Sequence, residues 1–346
     1  MVDKIYAMSS FLQFRMVYDP KIMFSEKLGV PLRSGEPSTN SHIPINTAEE
    51  LNIFLKKYIE RETADKKVAL ALSGGVDSAI IATFMPKGSV AYTTKSVVPG
   101  KKVFDEVDIA QRYCDINDLQ HRVVDIFWED YEKFSPILMK YKKAPIHSIE
   151  VQIYKMALQA KQDGFERLIF GAGADLVFGG FNKLLSKDYT IGEFIDRYSF
   201  VLPYKALKEY KLITDPFVKW TDNGMVDVYG FINDVFACDS ENSFTHPCEA
   251  ADVISVAGYY RLAHDIDIPR IRRGDSKYIL RDLFRQFYPN LEIPEKTPFP
   301  RAVTEWLTDW QGPKRAEFWE NCHINMTGDQ KYYVWILEKF LEEMNI

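Results

Sequence analysis

The sequence predicts an α/β fold, a parallel doubly wound sheet followed by a largely helical C-terminal region. Three observations predict it. Strand-like and helix-like segments alternate from about residue 67 to 172, which implies right-handed crossovers with helices on both sheet faces. Two strand-like runs, Val68–Leu72 and Arg167–Phe170, end in glycine-rich loops that lead straight into helical patterns. Beyond about 185 the strand signal fades and aromatic-rich helical periodicity takes over.

The elements follow in order. Residues 1 to about 45 read as an irregular N-terminal extension, with Arg33–Ser41 as a loop or linker. Thr47 with Glu50 three residues on forms a capping box, and Leu51, Ile53, Phe54, Leu55, Tyr58 and Ile59 continue at helical spacing. After the first strand and its loop, Ala79–Ala82 begins an apolar helix. Val90–Thr94 reads as a strand, Phe104–Asp115 as a helix carrying Glu106, Asp108 and Ala110, whose two acids at its start suit the helix dipole, and Gln120–Ile126 as a third strand. Ile149–Ala160 predicts a helix before the fourth strand. Farther on, Trp220–Gly224 predicts a turn through Asn223-Gly224, and Ser276–Phe287 and Gln330–Met344 predict helices. The expected organisation is an extension over 1–45 and one domain over 46–346, with a nucleotide-binding core at about 65–185 and a helical remainder.

Composition narrows the function classes. The chain has 346 residues, 46% of them hydrophobic and 14% aromatic, enough for a sizeable core. A formal net charge of −6 supplies no basic field for general nucleic-acid binding, although Arg270, Arg272 and Arg273 form a local basic patch. No apolar run has membrane-spanning length, so no membrane partner is expected. Cys114, Cys238, Cys248 and Cys322 are scattered without a C-x-x-C pair, which argues against a zinc ribbon, an iron–sulfur site or a disulfide framework. A reducing cytoplasm is the expected compartment. The six histidines show no paired metal spacing.

The chemistry concentrates in two stretches. In Ser73-Gly74-Gly75-Val76-Asp77-Ser78, backbone N–H groups and the positive end of the following helix point at one place, which suits an anion. Gly74 and Gly75 let phosphate oxygens approach the backbone, and Ser73 and Ser78 add hydroxyls. An ordinary Ser/Asp-capped helix start uses the same residue types. Phe170-Gly171-Ala172-Gly173-Ala174-Asp175 repeats the pattern, and Phe178-Gly179-Gly180-Phe181 follows. Asp77 and Asp175, at two strand ends, suit a Mg²⁺ shared with a polyphosphate.

These residues carry a resemblance. Ser73–Ser78 looks like the pyrophosphatase loop of the adenine-nucleotide α-hydrolase (PP-loop) fold. Gly171–Asp175 with Phe178–Phe181 resembles the second signature of asparagine synthetases and their relatives, the β-lactam and carbapenam synthetases and lasso-peptide cyclases. Phe11–Tyr18 is similar to the segment before that domain, and Pro145, Ser148-Ile149 and Tyr154 to the approach to the second signature. Lys277-Tyr278-Ile279-Leu280-Arg281 matches the family's Lys-x-x-Leu-Arg helix, and Glu295-Lys296-Thr297-Pro298-Phe299 sits where the family carries its catalytic lysine. A turn lysine at the surface would also be at home beside Pro294 and Pro298.

The resemblance implies an ATP- and Mg²⁺-dependent, AMP-forming amide ligase. It would adenylate a small-molecule or peptide carboxylate, release pyrophosphate, and pass the acyl group to an amine or ammonia. Catalysis would fall to Lys296, Asp77 and Asp175. Nucleotide binding would involve Ser73, Gly74, Gly75, Asp77, Ser78, Gly171, Gly173 and Lys277, with Asp77 and Asp175 as metal ligands. Two departures stand out. Asparagine synthetases begin with a glutaminase domain bearing a nucleophilic cysteine where this chain has Val2. Its nitrogen is therefore expected from free ammonia, a substrate amine or a separate supplying partner. Ala172 stands where asparagine synthetases have glutamate and β-lactam synthetases a tyrosine used in proton transfer, and Leu176 replaces a common acid. A homo-oligomer is compatible with these features. Two other readings stay open: an RNA-modifying adenylating enzyme of the same fold, and a nucleotide-binding accessory subunit with reduced catalysis.

Overall fold

A computed structural model describes residues 1–33 and 42–346. Most of the expected linker, residues 34–41, lies outside the described residues. The strands, in chain order, are β1 (Ile43–Pro44), β2 (Val68–Ala71), β3 (Val90–Ser96), β4 (Gln120–Ile126), β5 (Arg167–Phe170), β6 (Thr221–Asp222), β7 (Met225–Val226), β8 (Ile254–Ala257) and β9 (Leu262–Ala263). The central sheet has the order β4-β3-β2-β5-β8, every pair parallel. The predicted strands over 120–126 and 167–170 form as read, and the Thr47–Glu50 capping box is made.

The buried apolar residues of the central strands divide between two cores. Ala69, Ala71, Tyr92, Leu168 and Phe170 join the cluster under the helices Trp128–Lys142 and Glu150–Gln162. Val68, Leu70, Ala91, Ile169 and Val256 face the opposite cluster with the helices Ala48–Thr63, Val76–Phe84 and Tyr278–Phe287. A strand buried on both faces reads as a continuous apolar run, and Val68–Ala71 is completely buried. A third, aromatic cluster is built around Phe194, Tyr198, Phe217 and Phe231 and takes in Phe14 and Met16 from the N-terminal segment and Ile271. There β6 and β7 pair through Asn223 and Gly224, both at positive φ, as a two-residue hairpin turn requires. No helix of the described residues is long and apolar enough to cross a membrane.

Three readings change. The N-terminal segment, expected to be irregular, contains the helix Lys4–Phe14, capped by Asp3, whose side chain accepts from Tyr6 N–H at 2.9 Å. Every residue from Ala7 to Phe14 is buried, so the segment carries no amphipathic stripe to read. Phe11 meets Tyr333 of the C-terminal helix edge-on at 6.2 Å. Second, the region beyond 185 supplies β8, which pairs with β5 and completes the sheet. Third, the helix Trp128–Lys142 did not stand out in the sequence, where Pro136 interrupts its pattern.

The N-terminal segment is held by charge as well as packing. Arg15, at φ 63°, ends the first helix, and its guanidinium pairs with Asp239 and touches His147 Nε2 at 2.6 Å. Phe200 covers its face at 4.0 Å. The Arg15 and Asp239 side chains are only 9% and 2% exposed. Breaking such a pair leaves a buried charge, so Asp239→Ala should lower the unfolding free energy by about 3–5 kcal/mol. Urea titration checks this, and a loss well below that range would show that the Arg15–Asp239 pair does not anchor the segment.

Glu317 makes a second anchor, accepting from Arg315 at 2.7 Å and Lys4 at 2.8 Å. The Arg315 guanidinium, with help from Lys4, holds this carboxyl down to about 2 against burial. A depressed carboxylate stabilises fully above its ordinary value and loses that contribution as pH falls through the folded one. Glu317→Gln should therefore lower the melting temperature at pH 6 and match the wild type near pH 2. Melting curves across that range test it.

Candidate active site

Ligands in open α/β sheets bind beyond the carboxyl ends of the strands, where the strand order reverses. Here the chain runs β2, β3, β4 to one side and then returns to place β5 on the other side of β2, with Leu70 opposite Ile169. The two glycine-rich loops leave these two adjacent strands, so they must face each other. The contact is close: a Cβ on Gly171 would lie 2.9 Å from Ser78 N and 3.1 Å from the Asp77 Cβ. Only glycine fits there. Gly173 adopts φ 94°, and a Cβ on it would meet Tyr260 N at 2.7 Å.

The first loop is wound on itself. Ser73 N–H donates to Ser78 Oγ at 3.0 Å, the two hydroxyls meet at 2.9 Å, and Gly75 N–H donates to Ser73 Oγ at 3.2 Å. The serines thus shape the loop rather than pointing free hydroxyls outward. No side chain caps the helix Val76–Phe84, so its first-turn N–H groups remain available to an anion.

Four charged side chains converge in front of this helix. Lys277 Nζ lies 2.6 Å from Asp77 Oδ2 and 2.7 Å from Asp175 Oδ1. Lys296 Nζ lies 2.6 Å from the same Asp175 Oδ1 and 2.6 Å from Gly180 O. Gly180 is obligatory, since a Cβ there would fall 1.8 Å from Asp175 Oδ1. Lys277 sits at φ 52° as the N-cap of the helix Tyr278–Phe287, one step outside it, and does not share its regular face with Arg281. The two lysines differ in exposure, 12% for the Lys277 side chain and 43% for Lys296. Lys277 is built into the wall; Lys296 faces solvent.

Burial pushes the Asp77 carboxyl up, helped by the neighbouring Asp175 charge and opposed by Lys277. Burial also acts on Asp175, but Lys277 and Lys296 outweigh it and hold this carboxyl well below the usual carboxylate range. Lys277 is pushed down by burial and carried above its ordinary value by the two aspartates. Asp77 Oδ1 is buried with no partner among the described residues. No group of three or more His, Cys, Asp or Glu arranged for a metal occurs among the described residues. Two adjacent carboxylates, one with an unused oxygen, still fit Mg²⁺, which takes few protein ligands and completes its shell with phosphate oxygens and water.

All the residues singled out in the sequence around the two loops, together with Lys277 and Lys296, therefore meet at one place. Sequence reasoning missed several others. Tyr259, just after β8, donates its hydroxyl to Asp77 O at 2.9 Å, and its N–H reaches Ala172 O at 3.1 Å. Tyr260 packs on Gly173 and contacts Ser240 Oγ through its hydroxyl at 3.0 Å. The short run Val253-Ile254-Ser255-Val256 ahead of Gly258, with three β-branched residues of four, was the available signal. Glu106, read as a helix-dipole residue, turns instead onto the first loop.

Residues 51–222 match the family model for asparagine synthase. No curated protein sequence matches the chain. Solved structures that resemble it include an NMN synthetase from Francisella tularensis, at 15% identity and TM-score 0.29, covering 40% of this chain and 60% of that one. An NH₃-dependent NAD synthetase from Campylobacter jejuni aligns at 16% identity and TM-score 0.26, over 38% and 58% of the two chains. A U34-tRNA thiolase from Methanococcus maripaludis aligns at 15% identity and TM-score 0.28, over 72% and 82%. The chain thus spans under two thirds of the length of the two synthetases.

Proposed function

We propose, from the asparagine-synthase match over residues 51–222 and the site in front of it, that the chain is an ATP-dependent, AMP-forming amide ligase. One observation carries this reading: Asp77, Asp175, Lys277 and Lys296 converge at an uncapped helix N-terminus between two glycine-rich loops. A substrate carboxylate oxygen attacks the α-phosphorus of ATP, the bond to the β,γ-pyrophosphate breaks, and an acyl-adenylate forms. An amine then attacks the acyl carbon and displaces AMP, losing a proton as the amide forms.

The chain's own groups divide this work. The first loop and the helix Val76–Phe84 bind the departing pyrophosphate through backbone N–H groups. Asp77 and Asp175 would hold Mg²⁺, which supplies charge neutralisation for the phosphates when bound. Lys277 fixes both carboxylates and, with Lys296, favours the ionised form of Asp175. Lys296, the exposed lysine, reaches the reacting oxygens and stabilises charge as each bond forms and breaks. Ala172 offers no group to take up the amine's proton, so substrates differ from those of an ordinary asparagine synthetase. In this reading residues 46–346 are one synthetase domain, whose core at 65–185 takes its last strand from 254–257.

The test is a screen of the purified protein with ATP, Mg²⁺ and a panel of carboxylic acids, each with and without ammonia, amines or glutamine. Pyrophosphate and AMP should appear only with a matching acid, and the amide only when a matching amine is added. Release of ADP and phosphate in place of pyrophosphate and AMP would overturn the reading.

A further inference from the structure

Glu106 occupies the position of a resident anion in the phosphate loop. It is the N-cap of the helix Val107–Asn117 and only 8% exposed. Its side chain lies along the loop: a Cβ on Gly74 would sit 3.2 Å from Glu106 Cβ and 3.3 Å from Cγ. Its carboxyl carbon would sit 3.4 Å from that same Cβ, and Oε1 accepts from Thr297 Oγ1 at 3.2 Å. Thr297 is the neighbour of Lys296, so this one carboxylate ties the loop to the lysine-bearing segment. Tyr113 donates its hydroxyl to Gly74 O at 3.1 Å, holding the Gly74–Gly75 peptide of the loop.

We infer that Glu106 is an affinity-setting residue of the phosphate site, packed along the loop at Gly74 and opposing bound pyrophosphate with its own negative charge. The inference rests on the proposed phosphate role of the loop. The chemistry is repulsion between anions. A polyphosphate seated on the loop lies beside a buried carboxylate that it repels. The groups facing Glu106 do not cancel that charge. From its own helix and the turn before it come Tyr113 and Asp105, the latter engaged with Lys95 at 3.9 Å; from the loop comes Gly74, and from the lysine segment Thr297. No Lys or Arg pairs with Glu106 among the described residues, and Lys296 is committed to Asp175 and Gly180. Burial pushes the Glu106 carboxyl above its ordinary value, so its charge falls away sooner on acidification than that of a free glutamate. A ligase that must shed pyrophosphate each turnover gains from such a residue, because weaker product binding speeds release.

The test is equilibrium binding of inorganic pyrophosphate with Mg²⁺ to the full chain and to Glu106→Gln, which keeps an acceptor oxygen for Thr297 and removes the charge. At pH 8 the variant should bind pyrophosphate about tenfold tighter than the wild type. The ratio should shrink toward one as the pH falls and the wild-type carboxyl takes up its proton. Equal or weaker binding by Glu106→Gln at pH 8 overturns the inference, since a purely structural role predicts a loss at every pH. Glu106→Ala, which also removes the charge, serves as the second variant where the first does not fold. A wild type that binds neither pyrophosphate nor ATP overturns the phosphate reading and this inference together, whereas a wild type that binds both with no difference in the variants overturns the inference alone.

Discussion

Lys296→Ala should cut pyrophosphate release by roughly 10²–10³-fold, the cost of about 2.7–4 kcal/mol for losing one preorganised donor to a developing oxyanion. The fold should survive. The Lys296 side chain is 43% exposed, and Asp175 keeps its contact with Lys277 at 2.7 Å. The loss should fall on the rate at saturating ATP, because the loop that holds the phosphates is untouched. Lys296→Arg keeps the charge but cannot place a compact ammonium against both Asp175 Oδ1 and Gly180 O, so it should rescue little. Steady-state kinetics with circular dichroism decide the matter. Wild-type turnover in Lys296→Ala would remove it from the reaction.

Asp77→Asn should be comparably severe for a different reason. The side chain keeps its shape and an acceptor oxygen toward Lys277, yet loses the charge needed to hold a divalent cation beside the phosphates. Metal-assisted charge stabilisation is worth several kcal/mol, so pyrophosphate release should fall by at least about 10²-fold. Binding of Mg²⁺–ATP should weaken as well, which separates this variant from Lys296→Ala. Unchanged kinetics in Asp77→Asn would move the cation away from this carboxylate.

Much of the site was legible because its chemistry is local. Glycines 74, 75, 171 and 173, the serines of the first loop, and an acid in each loop are all read within a few residues of a strand end. The serines illustrate the limit: their presence was visible, but their hydroxyls turn out to bond each other and the loop backbone. Lys277 was visible as a helix residue, yet its left-handed backbone sets it outside the helix and aims it between the two aspartates. Glu106 looked like a dipole residue at a helix start. Its contact with Gly74 and Thr297 joins positions 32 and 191 residues away in sequence, a relation that no local pattern encodes.

The fold divides in the same way. Apolar patterning determined the four strands between 68 and 170, the crossover helices other than Trp128–Lys142, and the parallel architecture, because period and burial are properties of a short window. The buried N-terminal helix carried no such period, since every side from Ala7 to Phe14 meets protein. Only the tertiary structure decided that β5 pairs with β2, that β8 arrives from residues 254–257, and that Arg15 closes on Asp239. The strand order is the decisive fact. It places two loops about 100 residues apart in sequence side by side, and hydrogen-bond register across a sheet depends on partners that the local sequence does not name. The sequence alone determined a glycine-rich loop between a strand and a helix, while tertiary pairing decided what stands in front of it: two carboxylates, two lysines and a buried glutamate.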